Sequence, residues 1–147
     1  GFSLGPLLIH PRSISRLDNV HPDLVRVILR AAEFYRGDYV VTEGDRALEK
    51  QKKLMENRAT TTLRSRHVAE NNACRMACAV DLAVWINLDV DGDIDNGEIR
   101  WDWPLYKDLA DAVKSAAKAE GVPIEWGGDW KSFRDGPHFQ LPWSAYK

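Results

Sequence analysis

From Ala77 to Ile86 the chain is apolar and β-rich except for one carboxylate, Asp81. Such a run reads as a central strand covered on both faces. A carboxylate buried in it is costly unless it is paired or binds a metal ion. Any fold of this chain must therefore bring a cationic partner to the middle of that strand. Two segments carry histidines that can reach it: Ser65-Arg66-His67, and the stretch from Trp126-Gly127-Gly128-Asp129-Trp130 to Asp135-Gly136-Pro137-His138-Phe139-Gln140-Leu141.

A hydrolytic zinc site needs three protein ligands, an open position for water, and a carboxylate base that is not itself a ligand. His67, Asp81 and His138 can fill the first role and Asp135 the second. Gly136-Pro137 makes a rigid turn that could hold Asp135 beside the metal and not on it. Taken singly, each residue has a plainer reading. His67 can be a loop histidine, Asp81 the buried partner of an arginine such as Arg46, and His138 a hydrogen-bonded strand residue.

Around these segments the pattern predicts an α+β domain. Leu24, Val27, Ile28, Ala31, Phe34 and Tyr35 recur at helical spacing between His21 and Tyr35, with Pro22 where a first turn accepts it. Tyr39 to Thr42 reads as a short strand, and Asp45 as the cap of a second, solvated helix through about Asn57. Residues 58–75 read as a loop. Leu105, Leu109, Ala112, Val113 and Ala116 trace a third helix ending at Gly121. Pro123 to Trp126 and His138 to Leu141 read as two strands joined through the Gly-Gly-Asp-Trp turn region. The expected architecture is one small domain over 1–147, an antiparallel sheet with flanking helices.

The 147 residues fit a single core. The net charge of −2 comes from interspersed residues, which argues against nucleic acid, whose partners carry a basic stripe. No window approaches the roughly 20 apolar residues that span a bilayer, and the first twenty residues lack an export pattern. The expectation is a soluble protein without a signal peptide. Cys74 and Cys78 are too few and too close for a disulfide scaffold and read as free thiols.

Together these segments resemble the zinc peptidases that cleave D-alanyl-D-alanine or L-alanyl-D-glutamate bonds of peptidoglycan, with a hedgehog/D-Ala-D-Ala peptidase-like fold, and especially the single-domain endolysins of bacteriophages. The resemblance covers nearly the whole chain. It rests on His21-Pro22-Asp23-Leu24-Val25, Thr42-Glu43-Gly44-Asp45-Arg46, Ser65-Arg66-His67, Ala79-Val80-Asp81-Leu82, Trp101-Asp102-Trp103-Pro104-Leu105-Tyr106 and, most specifically, the segment from Glu125 to Leu141. It implies that His67, Asp81 and His138 ligate zinc and that Asp135 is the acid/base, moving a proton from the attacking water to the leaving amine. It further implies that Arg46 binds a substrate carboxylate, a task suited to a planar guanidinium, with Ser65 adding a hydroxyl contact.

One departure stands out. The family separates its first His from its Asp by seven positions, whereas His67 and Asp81 are fourteen apart. About seven extra residues either loop out with both ligands in place, since lengthening a surface loop costs little entropy, or displace His67. In the second case Glu70, Cys74 or Cys78 would stand in as a ligand.

The segment Asn87-Leu88-Asp89-Val90-Asp91-Gly92-Asp93-Ile94-Asp95-Asn96-Gly97-Glu98 fits the twelve-residue calcium loop, as an insertion at 87–98. Asn87, Asp89, Asp91, Asp93, Asp95 and Glu98 would supply oxygens, Asn87 being neutral where Asp is usual. Trp101, Trp103, Trp126, Trp130 and Trp143 either line a cleft for a glycopeptide or belong to the core.

The leading expectation is a zinc endolysin, monomeric, cutting the L-alanyl-D-glutamate bond of peptidoglycan stem peptides, with calcium as a second ion. It would accumulate in the host cytoplasm and act on the wall after membrane breach. The alternatives are a D-alanyl-D-alanine carboxypeptidase and a catalytically impaired, calcium-dependent wall-binding module.

Overall fold

A computed structural model of the chain describes residues 11–46, 65–73, 75–87, 97–131 and 134–146. Helix α1 spans Pro11–Arg16 and α2 Pro22–Ala31. Strand β1 is Asp38–Glu43, β2 Ala79–Asn87 and β3 Gly97–Arg100. Helix α3 runs over Trp103–Glu120, followed by β4, Glu125–Trp126, and β5, His138–Gln140. Short 3₁₀ turns lie at Ala69–Asn71 and Gly127–Asp129.

The strands form one sheet in the order β1-β2-β5-β4, with β3 also paired to β2 and every strand pairing antiparallel. This is the α+β arrangement the pattern predicts, and β2 is central as its apolar run requires. The segments α1 and β3 were not anticipated. The helix expected after Asp45 falls mostly on residues outside those described, as does much of the loop expected at 58–75.

Helices α2 and α3 cover one sheet face. Leu24, Val27, Ile28 and Ala31 of α2 and Tyr106, Leu109, Ala110, Val113, Ala116 and Ala117 of α3 pack against Val41, Val80, Leu82, Val84 and Phe139. Each helix is bounded by local chemistry. The His21 ring accepts the Asp23 N–H at 3.1 Å to open α2. Trp101 stacks on Tyr106 across the start of α3, rings 6.0 Å apart, as a hydrophobic staple. Gly121 closes α3 in the left-handed region at φ 69°, and Val122 N–H returns to Ala117 O at 2.9 Å.

Because successive strand residues point to opposite faces, core positions Val80, Leu82 and Phe139 send Asp81, His138 and Gln140 to the other face. The register completes the placement: Asp81 lies opposite His138, and Gln140 opposite Glu125. A bulge between Val41 and Glu43 sets Glu43 opposite Asp81 on the other flank. The sheet face away from the helices thus carries a polar row running from β4 through β5 to β2.

Candidate metal centre

Three side chains meet at Asp81. His67 Nε2 lies 3.3 Å from Asp81 Oδ1, His138 Nδ1 lies 3.2 Å from the same oxygen, and the two ring nitrogens are 3.3 Å apart. Among the described residues this is the trio able to share a metal ion. Both histidines are buried, and Asp81 is partly open to solvent.

The outer nitrogens of both rings are already committed. His67 Nδ1 faces the Gly44 carbonyl at 2.7 Å, which can only accept, so Nδ1 carries the hydrogen. His138 Nε2 donates to Gln140 Oε1 at 2.7 Å, and Gln140 Nε2 donates to Glu125 Oε2 at 3.2 Å. Glu125 Oε1 accepts the Trp130 indole N–H at 3.0 Å. These bonds assign the tautomers and aim one lone pair of each imidazole inward. Two such lone pairs and a carboxylate oxygen converging at 3.2–3.3 Å need a proton or a cation between them. Tetrahedral zinc with bonds near 2.0–2.1 Å separates its ligand atoms by about 3.3 Å, so the donor set fits that ion.

Electrostatics follow the geometry. Burial alone would raise the Asp81 carboxyl, yet hydrogen bonds with His138 and His67, and their charge, hold it well below the usual carboxylate range. Burial alone would lower His138, but the same bond and charge from Asp81 push it above 6.5. Asp135 stands outside the trio, half-buried, and its carboxyl is raised first by burial and then by the Asp81 charge, with His138, His67 and Arg46 opposing. Its backbone N–H donates to Gly127 O at 3.1 Å, and its carbonyl accepts the His138 N–H at 3.2 Å. The turn through Gly136-Pro137 thus ties Asp135 to the same strand end as His138.

Arg46 lies on the opposite flank. Its guanidinium makes a two-pronged pair with Glu43, at 2.8 and 2.9 Å, and comes within 3.9 Å of Asp81 Oδ2. The Ser65 hydroxyl accepts the His67 N–H at 3.1 Å, so it shapes the turn that presents the ring.

The lengthened segment between His67 and Asp81 loops out and leaves both residues facing each other. Buried Asn72 holds it: Nδ2 reaches the carbonyls of Met76, Arg66 and Val68 at 2.7, 3.1 and 3.3 Å, and Oδ1 accepts from Arg66 Nη1 at 2.7 Å. Arg66, 1% exposed, also bonds the Leu141 and Tyr146 carbonyls and stacks on Trp143. Of the stand-in ligands, Cys78 is packed in the core with its thiol toward Met76 O, while Cys74 and the Glu70 side chain lie outside the described residues. In the calcium-loop segment, residues 88–96, and with them Asp89, Asp91, Asp93 and Asp95, also lie outside, as do the side chains of Asn87 and Glu98. The tryptophans divide: Trp126 is core, Trp130 tilts over His138 at 5.1 Å, and Trp101 and Trp103 are exposed. The relay through Gln140 and Glu125 was not anticipated, although Gln140 at two residues from His138 was its visible sign.

Comparison with known proteins bears on this centre. The family model described as phage L-alanyl-D-glutamate peptidase matches residues 7–141. The L-alanyl-D-glutamate peptidase of Escherichia phage T5 is 28% identical over 127 residues, covering 84% of this chain and 81% of that protein. That of Listeria phage A118 is 42% identical over 45 residues, 31% of this chain, and the match spans only 16% of that relative's length. The crystal structure of the Serratia marcescens L-Ala D-Glu endopeptidase ChiX aligns at TM-score 0.74 and 36% identity, over 92% of this chain and 90% of ChiX.

Proposed function

The chain belongs to the phage L-alanyl-D-glutamate peptidase family, and from that premise we propose that it is a zinc-dependent endopeptidase hydrolysing the L-alanyl-D-glutamate bond of peptidoglycan stem peptides. The observation that carries the metal assignment is the convergence of His67, Asp81 and His138 with both outer imidazole nitrogens already bonded. Those three residues would hold the ion. When bound, zinc supplies an acidified water and polarises the scissile carbonyl.

The remaining work falls to the chain's own groups. Asp135, with its raised carboxyl, is matched to taking a proton from the attacking water and returning it to the leaving amine. Glu125, the next candidate for that task, has both oxygens engaged by Trp130 and Gln140 and instead orients His138. Arg46, oriented by Glu43, presents positive charge beside Asp81 and suits the carboxylate of the D-glutamate residue. Ser65 acts on that carboxylate only indirectly in this reading, by setting the turn at His67.

We also propose calcium for the segment 87–98. The pairing of β2 with β3, Asn87 opposite Gly97 and Ile86 opposite Glu98, brings the two ends of the segment together. Its test is activity and melting temperature under a calcium-selective chelator with zinc retained.

The test of the main reading is digestion of purified sacculi by the zinc-loaded protein, with mass spectrometry of the released peptides. New amino-terminal D-glutamate is expected, and Asp135→Ala should abolish it while leaving the zinc content at one ion per chain. Release of terminal D-alanine alone, or full cleavage by the variant, would overturn it.

A further inference from the structure

Trp101 and Trp103 are 62% and 42% exposed, and Trp103 lies against the turn that carries Asp135. The Trp103 ring reaches within 3.5 Å of where a Cβ on Gly136 would stand, and Gly136 is the residue after Asp135. The ring also packs at 5.6 Å on Trp126, whose indole N–H donates to the Gly136 carbonyl at 2.7 Å. Trp103 is therefore seated on the very turn that holds Asp135. Polar groups rim the two rings: the Arg134 guanidinium at 5.8 Å from the Trp103 centroid, and the Arg100–Asp102 pair at 3.0 Å. The staple to Tyr106 engages one face of Trp101, and much of the indole remains open to solvent.

Sheet order gives this platform a direction. Arg46 follows β1, on one side of β2; β3 and β5, which bracket Trp101, Trp103 and Asp135, lie on the other. With the D-glutamate carboxylate at Arg46, the amino-terminal part of the substrate runs toward the β5 side of β2, where the turn carrying Asp135 and Trp103 lies. In peptidoglycan the L-alanine of the stem is amide-linked to the lactyl group of muramic acid, so a sugar ring follows the scissile bond within about two residue lengths, roughly 7 Å.

We propose that Trp103 and Trp101 form a saccharide subsite that receives the N-acetylmuramoyl ring bearing the stem peptide. Apolar pyranose faces stack on the indoles while the polar rim meets hydroxyl and acetamido groups. The assignment rests on the peptidase reading for its orientation, and the experiment separates the two.

Hydrolysis is compared for a stem peptide whose L-alanine nitrogen carries either acetyl or N-acetylmuramoyl. Wild type should show a KM about tenfold lower for the muramoyl substrate. Trp101→Ala should remove most of that preference while leaving acetyl-peptide kinetics within about twofold, and Trp103→Phe, which keeps an aromatic ring packed on the Asp135 turn, should weaken the preference in part. Equal KM values in wild type, or equal losses on both substrates in the variants, overturn the subsite and leave the peptidase reading standing. Should neither peptide be cut, the peptidase reading fails, and binding decides the subsite separately. The indole N–H resonances of Trp101 and Trp103 should then shift on titration with N-acetylmuramoyl-L-alanine but not with N-acetyl-L-alanine, and unmoved resonances overturn the proposal.

Discussion

Replacing Asn72 by alanine should cost about 3 kcal/mol of folding stability and weaken zinc binding, although Asn72 touches neither the metal ligands nor the substrate. Its two amide hydrogens are spread over three carbonyls, of Met76, Arg66 and Val68, and its oxygen accepts from the buried Arg66 guanidinium. Two neutral hydrogen bonds at about 1 kcal/mol each and one charged bond at roughly 1.5–3 kcal/mol give an upper range of about 3.5–5 kcal/mol. Arg66 keeps its bonds to Leu141 and Tyr146, so its charge is not orphaned. Arg75 sits at φ 59°, a left-handed strain of order 1–2 kcal/mol that a loosened loop can release. Both effects draw the figure toward 3 kcal/mol. Because Cys78 N–H bonds Arg66 O at 2.8 Å and Arg46 N–H bonds His67 O at 2.7 Å, slack in the loop reaches His67, and a zinc Kd at least tenfold higher should follow. Urea unfolding at unchanged m reads the stability, and competition with a chromophoric chelator reads the metal. Asn71→Ala, which removes the neutral bond to Ser65 O, is the control, with a smaller loss of about 1–2 kcal/mol. A loss below about 1 kcal/mol for Asn72→Ala at unchanged m would refute the idea that this side chain holds the lengthened segment in place.

Three further outcomes follow from the site. Asp135 has a raised carboxyl, so ionising it disfavours the fold: the penalty is absent below its ordinary value of 3.8 and grows as pH rises from there through the folded value. Asp135→Asn in the metal-free protein should therefore melt higher than wild type at pH 7 and equally at pH 3, while activity of the zinc-loaded form falls by about 10²-fold or more; equal melting at both pH values would contradict the burial argument. His138 has its folded pKa above 6.5, so its stabilisation is fully present below 6.5 and is lost as pH rises through the folded value. Metal-free protein should lose melting temperature on that upward course while zinc-loaded protein does not, and a flat metal-free profile would show that no proton bridges the imidazoles. A Cβ on Gly127 would overlap the Asp135 carbonyl and stand 3.1 Å from the Cβ atoms of Asp135 and His138; Gly127→Ala should cost about 2 kcal/mol and about 10²-fold in kcat, with wild-type kinetics arguing that the turn is not needed.

What was legible in the chain was need, and what was not was partnership. A lone carboxylate in an apolar run requires a cationic neighbour, and period-two alternation through His138-Phe139-Gln140 sets the histidine and the glutamine on one face. Both can be read without coordinates. The register that brings His138 opposite Asp81 cannot, because one residue of slip would exchange the faces, and the bulge after Val41 that sets Glu43 opposite Asp81 leaves no glycine or proline as a sign. Arg66 shows the same divide. In the motif it is merely the residue before His67, yet its burial is settled by carbonyls 75 and 80 positions away. Strand β3 and the staple at Trp101 were equally hidden, since four residues flanking an acidic segment carry too little periodicity to mark a strand. Glu125 marks the limit most sharply. By residue type it suits proton transfer as well as Asp135 does, and only the paths of Trp130 and Gln140 to its two oxygens turn it into the group that orients His138. In the proposed mechanism the work is thus divided between two carboxylates of similar sequence promise: Glu125, bonded by Trp130 and Gln140, orients His138, and half-buried Asp135 is left with a raised affinity for a proton.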